Sequence, residues 1–170
     1  ATGLQVEVLG PREGVRLMEQ WAAEGLPFAI DWEWEIGSER AIGFSLAQGG
    51  SNYYVPVRGG DDDGGNSRSE CEKYVHQGFV AALDNGTTIM HNGRADVGTQ
   101  VPATRGVLAG TVEDTMVLAY LAGEPVLGLK PLTRKLLHRD AIDLPPNLEK
   151  QSLHVQAQYA GADSRNTYDL

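Results

Sequence analysis

Three short acidic signatures constrain this chain more than any other feature. They are Asp31-Trp32-Glu33, Asn92-Gly93-Arg94-Ala95-Asp96 and Tyr159-Ala160-Gly161-Ala162-Asp163, in that order and far apart. Phe28-Ala29-Ile30 is an apolar run leading into Asp31, which predicts a buried strand. Residues two apart on a strand share a face, so Asp31 and Glu33 point the same way. Asn92 and Asp96 are four apart, as are Tyr159 and Asp163, and on a helix that spacing is again one face. Four carboxylates converging from a strand and two helices repel one another unless cations sit among them. Oxygen-only ligation of this kind suits Mg²⁺ or Mn²⁺. Two such ions held together are a device for hydrolysing phosphodiesters.

Composition sets looser bounds. A chain of 170 residues fits one domain with a full core. Its 41% hydrophobic and 22% charged residues match a soluble globular protein. No apolar run approaches the roughly 20 residues of a membrane span, and no signal-peptide pattern opens the chain. The single cysteine, Cys71, excludes an internal disulfide framework and a thiolate metal cluster. It reads as an ordinary helix residue in an intracellular protein. The net charge of −9 runs against the basic footprint of most nucleic-acid binders. Bound cations would neutralise part of it at the carboxylates. Asp61-Asp62-Asp63, flanked by glycines, reads as a solvated loop.

The order of elements is α/β. Leu4 to Leu9 alternates as an edge strand does. Glu13 to Ala23 is a helix with Val15, Leu17, Met18 and Trp21 along its apolar side. Strands are predicted at 28–34, 40–47 and 52–57, with Gly49-Gly50 as the hairpin turn between the last two. Residues 59–68 form a loop. Ser69 with Glu72 makes a capping box for a helix that gathers Val75, Phe79, Val80 and Leu83 on one face and stops at Asn85-Gly86. Thr88 to Met90 is a short strand delivering Asn92 and Asp96, and helices follow near 114–121, 129–137 and 150–170. Asp114 directly precedes a helix, so an N-cap is the favoured reading of it. Trp32 and Trp34 face away from the carboxylates and should pack between layers.

The three signatures together resemble the 3′→5′ exonucleases whose metal ligands are Asp, Glu, Asp and Asp, in the branch with a tyrosine in its last motif. The likeness is greatest to the proofreading domain of family A (polymerase I-like) DNA polymerases. Ala41-Ile42-Gly43-Phe44-Ser45-Leu46 and Tyr54-Val55-Pro56-Val57 look like that domain's second and third strands. Asp114-Thr115-Met116-Val117-Leu118-Ala119-Tyr120-Leu121 looks like the helix after the second motif, and Gly128-Leu129-Lys130-Pro131-Leu132 like the turn into the next. The resemblance spans roughly residues 28 to 170. It implies an RNase H-like, DnaQ-like exonuclease fold, a mixed central sheet flanked by helices.

The resemblance also implies roles. Asp31, Glu33, Asp96 and Asp163 would hold two divalent ions, Mg²⁺ or Mn²⁺, and Tyr159 would orient the attacking water. The histidine branch places His five residues before the last Asp, where this chain has Gln158. His154 is nine before Asp163 and reads as a surface or supporting residue. Asn92 matches a position contacting the terminal nucleotide, and Ile36 is a candidate for the apolar wedge between the last two bases. His91 stands where the family has another polar residue. The partners implied are single-stranded DNA 3′ ends or frayed primer termini, held weakly by a domain this acidic, with a polymerase domain in cis and no membrane. The setting is the cytoplasm of a bacterium or of a phage's host. The chain lacks an initiator Met and stops seven residues after Asp163, the expectation for a single exonuclease domain excised from a longer polymerase. An RNase D-type exoribonuclease and a non-catalytic polymerase scaffold are the alternatives.

Overall fold

In the computed structural model, described for residues 3–38, 40–57, 68–100 and 109–170 (without the side chains of 68–72, 99 and 100), six strands make one mixed sheet. The elements are β1 (Glu7–Val8), α1 (Pro11–Glu24), β2 (Phe28–Trp34), β3 (Ala41–Gln48), β4 (Ser51–Pro56), α2 (Arg68–Asn85), β5 (Thr87–Met90), α3 (Gly93–Gln100), β6 (Thr111–Asp114), α4 (Thr115–Leu121), α5 (Leu129–Leu136) and α6 (Leu153–Asp169). A 3₁₀ turn at Leu148–Lys150 precedes α6. The strand order is β1-β4-β3-β2-β5-β6. β2, β3 and β4 form an antiparallel meander; β5 joins β2 in parallel, β6 joins β5 in parallel, and β1 lies parallel to β4.

Alternation along β2 sorts the two faces of the sheet. Phe28, Ile30 and Trp32 enter the main core with Phe44 and Leu46 of β3, Val15, Met18 and Trp21 of α1, and Val75, Phe79 and Leu83 of α2. Trp32 stacks on Trp34 at 5.8 Å and meets Phe44 and Phe79. Both tryptophans are therefore packing residues, as their parity predicts. The opposite face carries Ala29, Asp31 and Glu33, paired with Ala47, Ser45 and Gly43 of β3. These partners are small, and so are Ala157, Ala160, Gly161 and Ala162 of α6, all buried. Small residues on both sides let the helix lie close to the sheet.

Specific bonds fix that approach. The buried Ser45 hydroxyl donates to the Ala160 carbonyl at 2.7 Å, and the Tyr54 hydroxyl donates to Gln156 Oε1 at 3.0 Å. The Gln156 amide donates in turn to the carbonyls of Leu148 and Gln151, tying the 3₁₀ turn to the start of α6. Gly43 is required beside Tyr54, because a Cβ there would stand 2.4 Å from the phenol oxygen. At Gly161 a Cβ would come within 2.6 Å of Val6.

Two expectations need correction, and one strand was not expected. The first strand pairs over only Glu7 and Val8, because Gly10 and Pro11 open α1 two residues later. β6 carries no predicted counterpart; its Thr-Val-Glu-Asp is mostly exposed at the sheet edge and has no apolar alternation to mark it. α6 starts at Leu153 rather than 150, where the Ser152 side chain accepts the Val155 N–H. Of the loop expected at 59–68, Arg68 already belongs to α2, while 59–67 with Asp61-Asp62-Asp63, and the side chains of Ser69, Cys71 and Glu72, lie outside the described residues. The helical setting of Cys71 does hold, since it falls in α2.

Candidate active site

The site forms where the C-terminal ends of the parallel neighbours β2 and β5 meet α6. Asp31 and Glu33 leave the α6 face of β2, and Tyr159 and Asp163 descend onto them one helical turn apart. Side-chain oxygens of Asp31, Glu33 and Asp163 lie within 4.8 Å of one another. That spacing goes with the close helix–sheet contact marked by the Ser45–Ala160 hydrogen bond.

The electrostatics are those of charges forced together away from water. Burial, then repulsion from Glu33, Asp163 and Asp96, holds the Asp31 carboxyl well above the usual carboxylate range. Burial and Asp163 push Glu33 up to about 8, against relief from a hydrogen bond with Asp31 and from Lys130. Asp163 is raised by burial, with Lys130 and Tyr159 pulling the other way. The Tyr159 phenol, buried among these carboxylates, is driven far above its ordinary value.

One oxygen decides what the cluster lacks. Asp163 Oδ1 is buried with no hydrogen-bond partner among the described residues, while Oδ2 accepts from Lys130 Nζ at 3.3 Å. A buried carboxylate oxygen left unpaired is costly. Together with two neighbouring carboxylates whose protonation burial favours, it fits a divalent cation bound by oxygens alone.

Asp96 sits at the edge of this trio. It is 6% exposed on α3, and burial together with Asp114 raises its carboxyl to about 7. It acts on Asp31 and Glu33 through charge but stands outside the group whose oxygens share the 4.8 Å sphere. Three of the four expected carboxylates thus share one sphere, and Asp96 stands beside them.

Asp114 pins the start of α3, the helix that carries Asp96. Met90 and Asp114 are paired across β5 and β6. The Asp114 carboxylate accepts from the N–H groups of Asn92 (3.0 Å), Gly93 (2.8 Å) and Met116 (2.9 Å). It therefore caps α4, as its position predicts, and also holds the first turn of α3. Asn92 adopts a left-handed conformation, φ 60°, with its side chain exposed at that helix start. Ile36 is 65% exposed in the turn after β2. Both are open to solvent at the carboxylate end of the sheet. His91 Nδ1 meets Thr115 Oγ1 at 2.8 Å, which makes it a link between the β5 end and α4. His154 is exposed on α6.

The residue that motif spacing misses is Lys130. Its ammonium donates to the Tyr159 oxygen at 3.2 Å and to Asp163, and lies 4.5 Å from the Tyr159 ring centre. In sequence Lys130 marks only a helix start. The available signal was the acidic cluster itself, which calls for a counter-charge but does not say which of 14 Lys and Arg supplies it.

No family model and no curated protein sequence matches this chain. Solved structures do. NrnC of Brucella melitensis bound to pGG superposes with a TM-score of 0.67 at 18% identity, over 98% of this chain and 78% of that one. The same protein with bound Mg²⁺ gives 0.56 at 20% identity, over 84% and 68%. The RNase D of Trypanosoma brucei gives 0.68 at 11% identity, over 98% of this chain and 63% of its own. The architecture is that of the DnaQ-like, RNase H-like 3′→5′ exonucleases. At these identities the likeness is one of fold.

Proposed function

We propose that this chain is a metal-dependent 3′→5′ exonuclease that removes terminal nucleotides from unpaired ends as 5′-monophosphates. The observation that carries this reading is the mutually repelling trio of Asp31, Glu33 and Asp163, the last two buried, with Tyr159 beside it, in an exonuclease fold. Asp31, Glu33 and Asp163, with Asp96 at their edge, would hold Mg²⁺ or Mn²⁺. Such ions supply a nucleophilic hydroxide at neutral pH and stabilise the departing 3′-oxygen. Tyr159 presents a protonated hydroxyl to the same space, because its raised pKa keeps the proton on it across the working pH range. In this reading Ile36 and Asn92, both exposed, would meet the last bases of a strand.

For substrate, the fold neighbours weigh toward RNA, one being an RNase D and another NrnC bound to pGG. The second reading is a proofreading domain of a family A polymerase, resting on the sequence likeness of β4 and of Asp114–Leu121. Those segments separate the readings less than their sequence suggests, since 98% of the chain superposes on the RNase D. A strand must be unpaired for its terminal phosphate to reach buried carboxylates, and unpairing a duplex end costs a few kcal/mol. The test is 3′-labelled single-stranded RNA and DNA of one sequence, each with Mg²⁺, Mn²⁺ or EDTA. Stepwise release of 5′-monophosphates is expected with metal and none in EDTA, with RNA cut faster. Faster cutting of DNA moves the reading to proofreading; no release with either metal removes the nuclease reading.

A further inference from the structure

Lys130 is the one cation that the described structure shows bonded inside the acidic cluster, and it lies at the start of α5 rather than on any of the three signatures. Its side chain is 23% exposed and its Nζ bridges two site residues, at 3.2 Å from the Tyr159 oxygen and 3.3 Å from Asp163 Oδ2. A lysine ammonium can only donate. Its bond to Tyr159 therefore uses a lone pair of the phenol oxygen and leaves the phenol to act as a donor. The phenol is also hydrogen-bonded to Asp163, and Glu33 and Asp31 are its next charged neighbours.

We propose that Lys130 is a positioning residue that sets the direction of the Tyr159 hydroxyl, turning its hydrogen toward the carboxylate cluster and the attacking water. The ammonium holds the ring as well as the oxygen, since Nζ lies 4.5 Å from the ring centre. Gly128 supplies the N-cap of α5 in extended conformation, and the Leu132 N–H donates to its carbonyl at 3.1 Å. Leu132 and Thr133 are buried one turn on, so the element bearing Lys130 is anchored independently of the site.

The inference rests on the nuclease reading, and a double-mutant cycle separates the two. Lys130→Met keeps the length of the side chain and removes its charge and donors; Tyr159→Phe removes the hydroxyl; the third protein carries both. With saturating Mn²⁺ and single-stranded substrate, Lys130→Met should lower kcat by roughly 10–100-fold, the scale of one positioned group, with KM within about threefold. In the Tyr159→Phe background the same change should cost less than about threefold, because its target is already gone. Equal losses in both backgrounds, or no loss in either, would overturn the proposal. Calorimetric Mn²⁺ affinity gives a readout that does not depend on turnover. It should be unchanged or tighter in Lys130→Met, since a competing cation has left. A tenfold weakening would mean that Lys130 organises the ligands instead, and would also overturn it. Lys130→Arg, which keeps charge and donors, should recover part of the rate and guards against a folding defect. An inactive wild type refutes the nuclease reading itself; an active wild type with additive variants refutes only the role of Lys130.

Discussion

Replacing Glu33 by Gln should stabilise the metal-free protein at alkaline pH and remove most of the stabilisation that metal gives. Glu33 is 9% exposed, and its carboxyl titrates at about 8 rather than 4.5 because burial and Asp163 both oppose its charge. A carboxyl raised on folding contributes its full stability below the unfolded value, and that stability is lost as pH rises through the folded one. The window is therefore pH 4.5 to 8. Each pH unit across it is worth about 1.4 kcal/mol, which sets a ceiling of about 5 kcal/mol at pH 8.5. Water entry and relaxation reduce such a ceiling, and about 2–3 kcal/mol is the expected effect at an effective dielectric near 20. Gln keeps the shape, carries no charge at any pH, and can donate to Asp31. For a domain of this size about 2–4 °C accompanies each kcal/mol. In EDTA at pH 8.5 the variant should melt roughly 5–10 °C above wild type, and the gap should shrink below about 3 °C at pH 5. Millimolar Mg²⁺ should raise the wild-type melting temperature at pH 8.5 and leave the variant nearly unmoved, because ligation needs the deprotonated carboxylates. Differential scanning calorimetry at the two pH values, with and without metal, makes the measurement. A variant that melts at or below wild type in EDTA at pH 8.5 would refute the argument that the cluster is held under repulsion.

The remaining predictions follow from neighbouring residues. Asp163→Ala should reduce 3′-end cleavage by at least about 10³-fold with the fold intact by circular dichroism, since charge stabilisation at the site rests on it; more than about a tenth of the wild-type rate would sink the assignment. Tyr159→Phe should lower kcat by roughly 10–10³-fold with little change in KM, on the scale of one oriented hydrogen-bonding group. Asp114→Ala removes the acceptor of three backbone N–H groups, two of them opening α3. It should cost about 2–3 kcal/mol in urea denaturation, beyond a single N-cap, and lower activity by loosening Asp96.

Local chemistry marked most of the fold. The meander β2-β3-β4 is legible because its strands are long apolar runs punctuated by Gly49-Gly50. The stop of α2 is legible because Asn85-Gly86 cannot continue a helix that packs so closely, where a Cβ on Gly86 would stand 2.9 Å from Ala22. What sequence could not mark is pairing created by position alone. β6 becomes a strand only because β5 offers it an edge, with Thr87 to Met90 opposite Thr111 to Asp114. Its own residues carry no strand pattern.

The same division holds at the site. Spacing identifies Asp31 with Glu33 and Tyr159 with Asp163, because each pair lies on one regular element whose geometry fixes which way they point. Lys130 and Asp114 act across elements, over 33 residues from Lys130 to Asp163 and 22 from Asp114 to Asn92. No periodicity connects such partners. Yet electrostatics demands something in their place. A close trio of carboxylates requires a counter-charge, and a helix start bearing a buried Asp96 requires acceptors for its free N–H groups. Those two requirements could be stated from the motifs, but only the folded chain names the residues that meet them. Lys130 meets the first for a single oxygen of Asp163, and the other has no hydrogen-bond partner among the described residues. One fixed ammonium is too little charge for Asp31, Glu33 and Asp163 once all three are ionised, which is the physical argument for cations in the site.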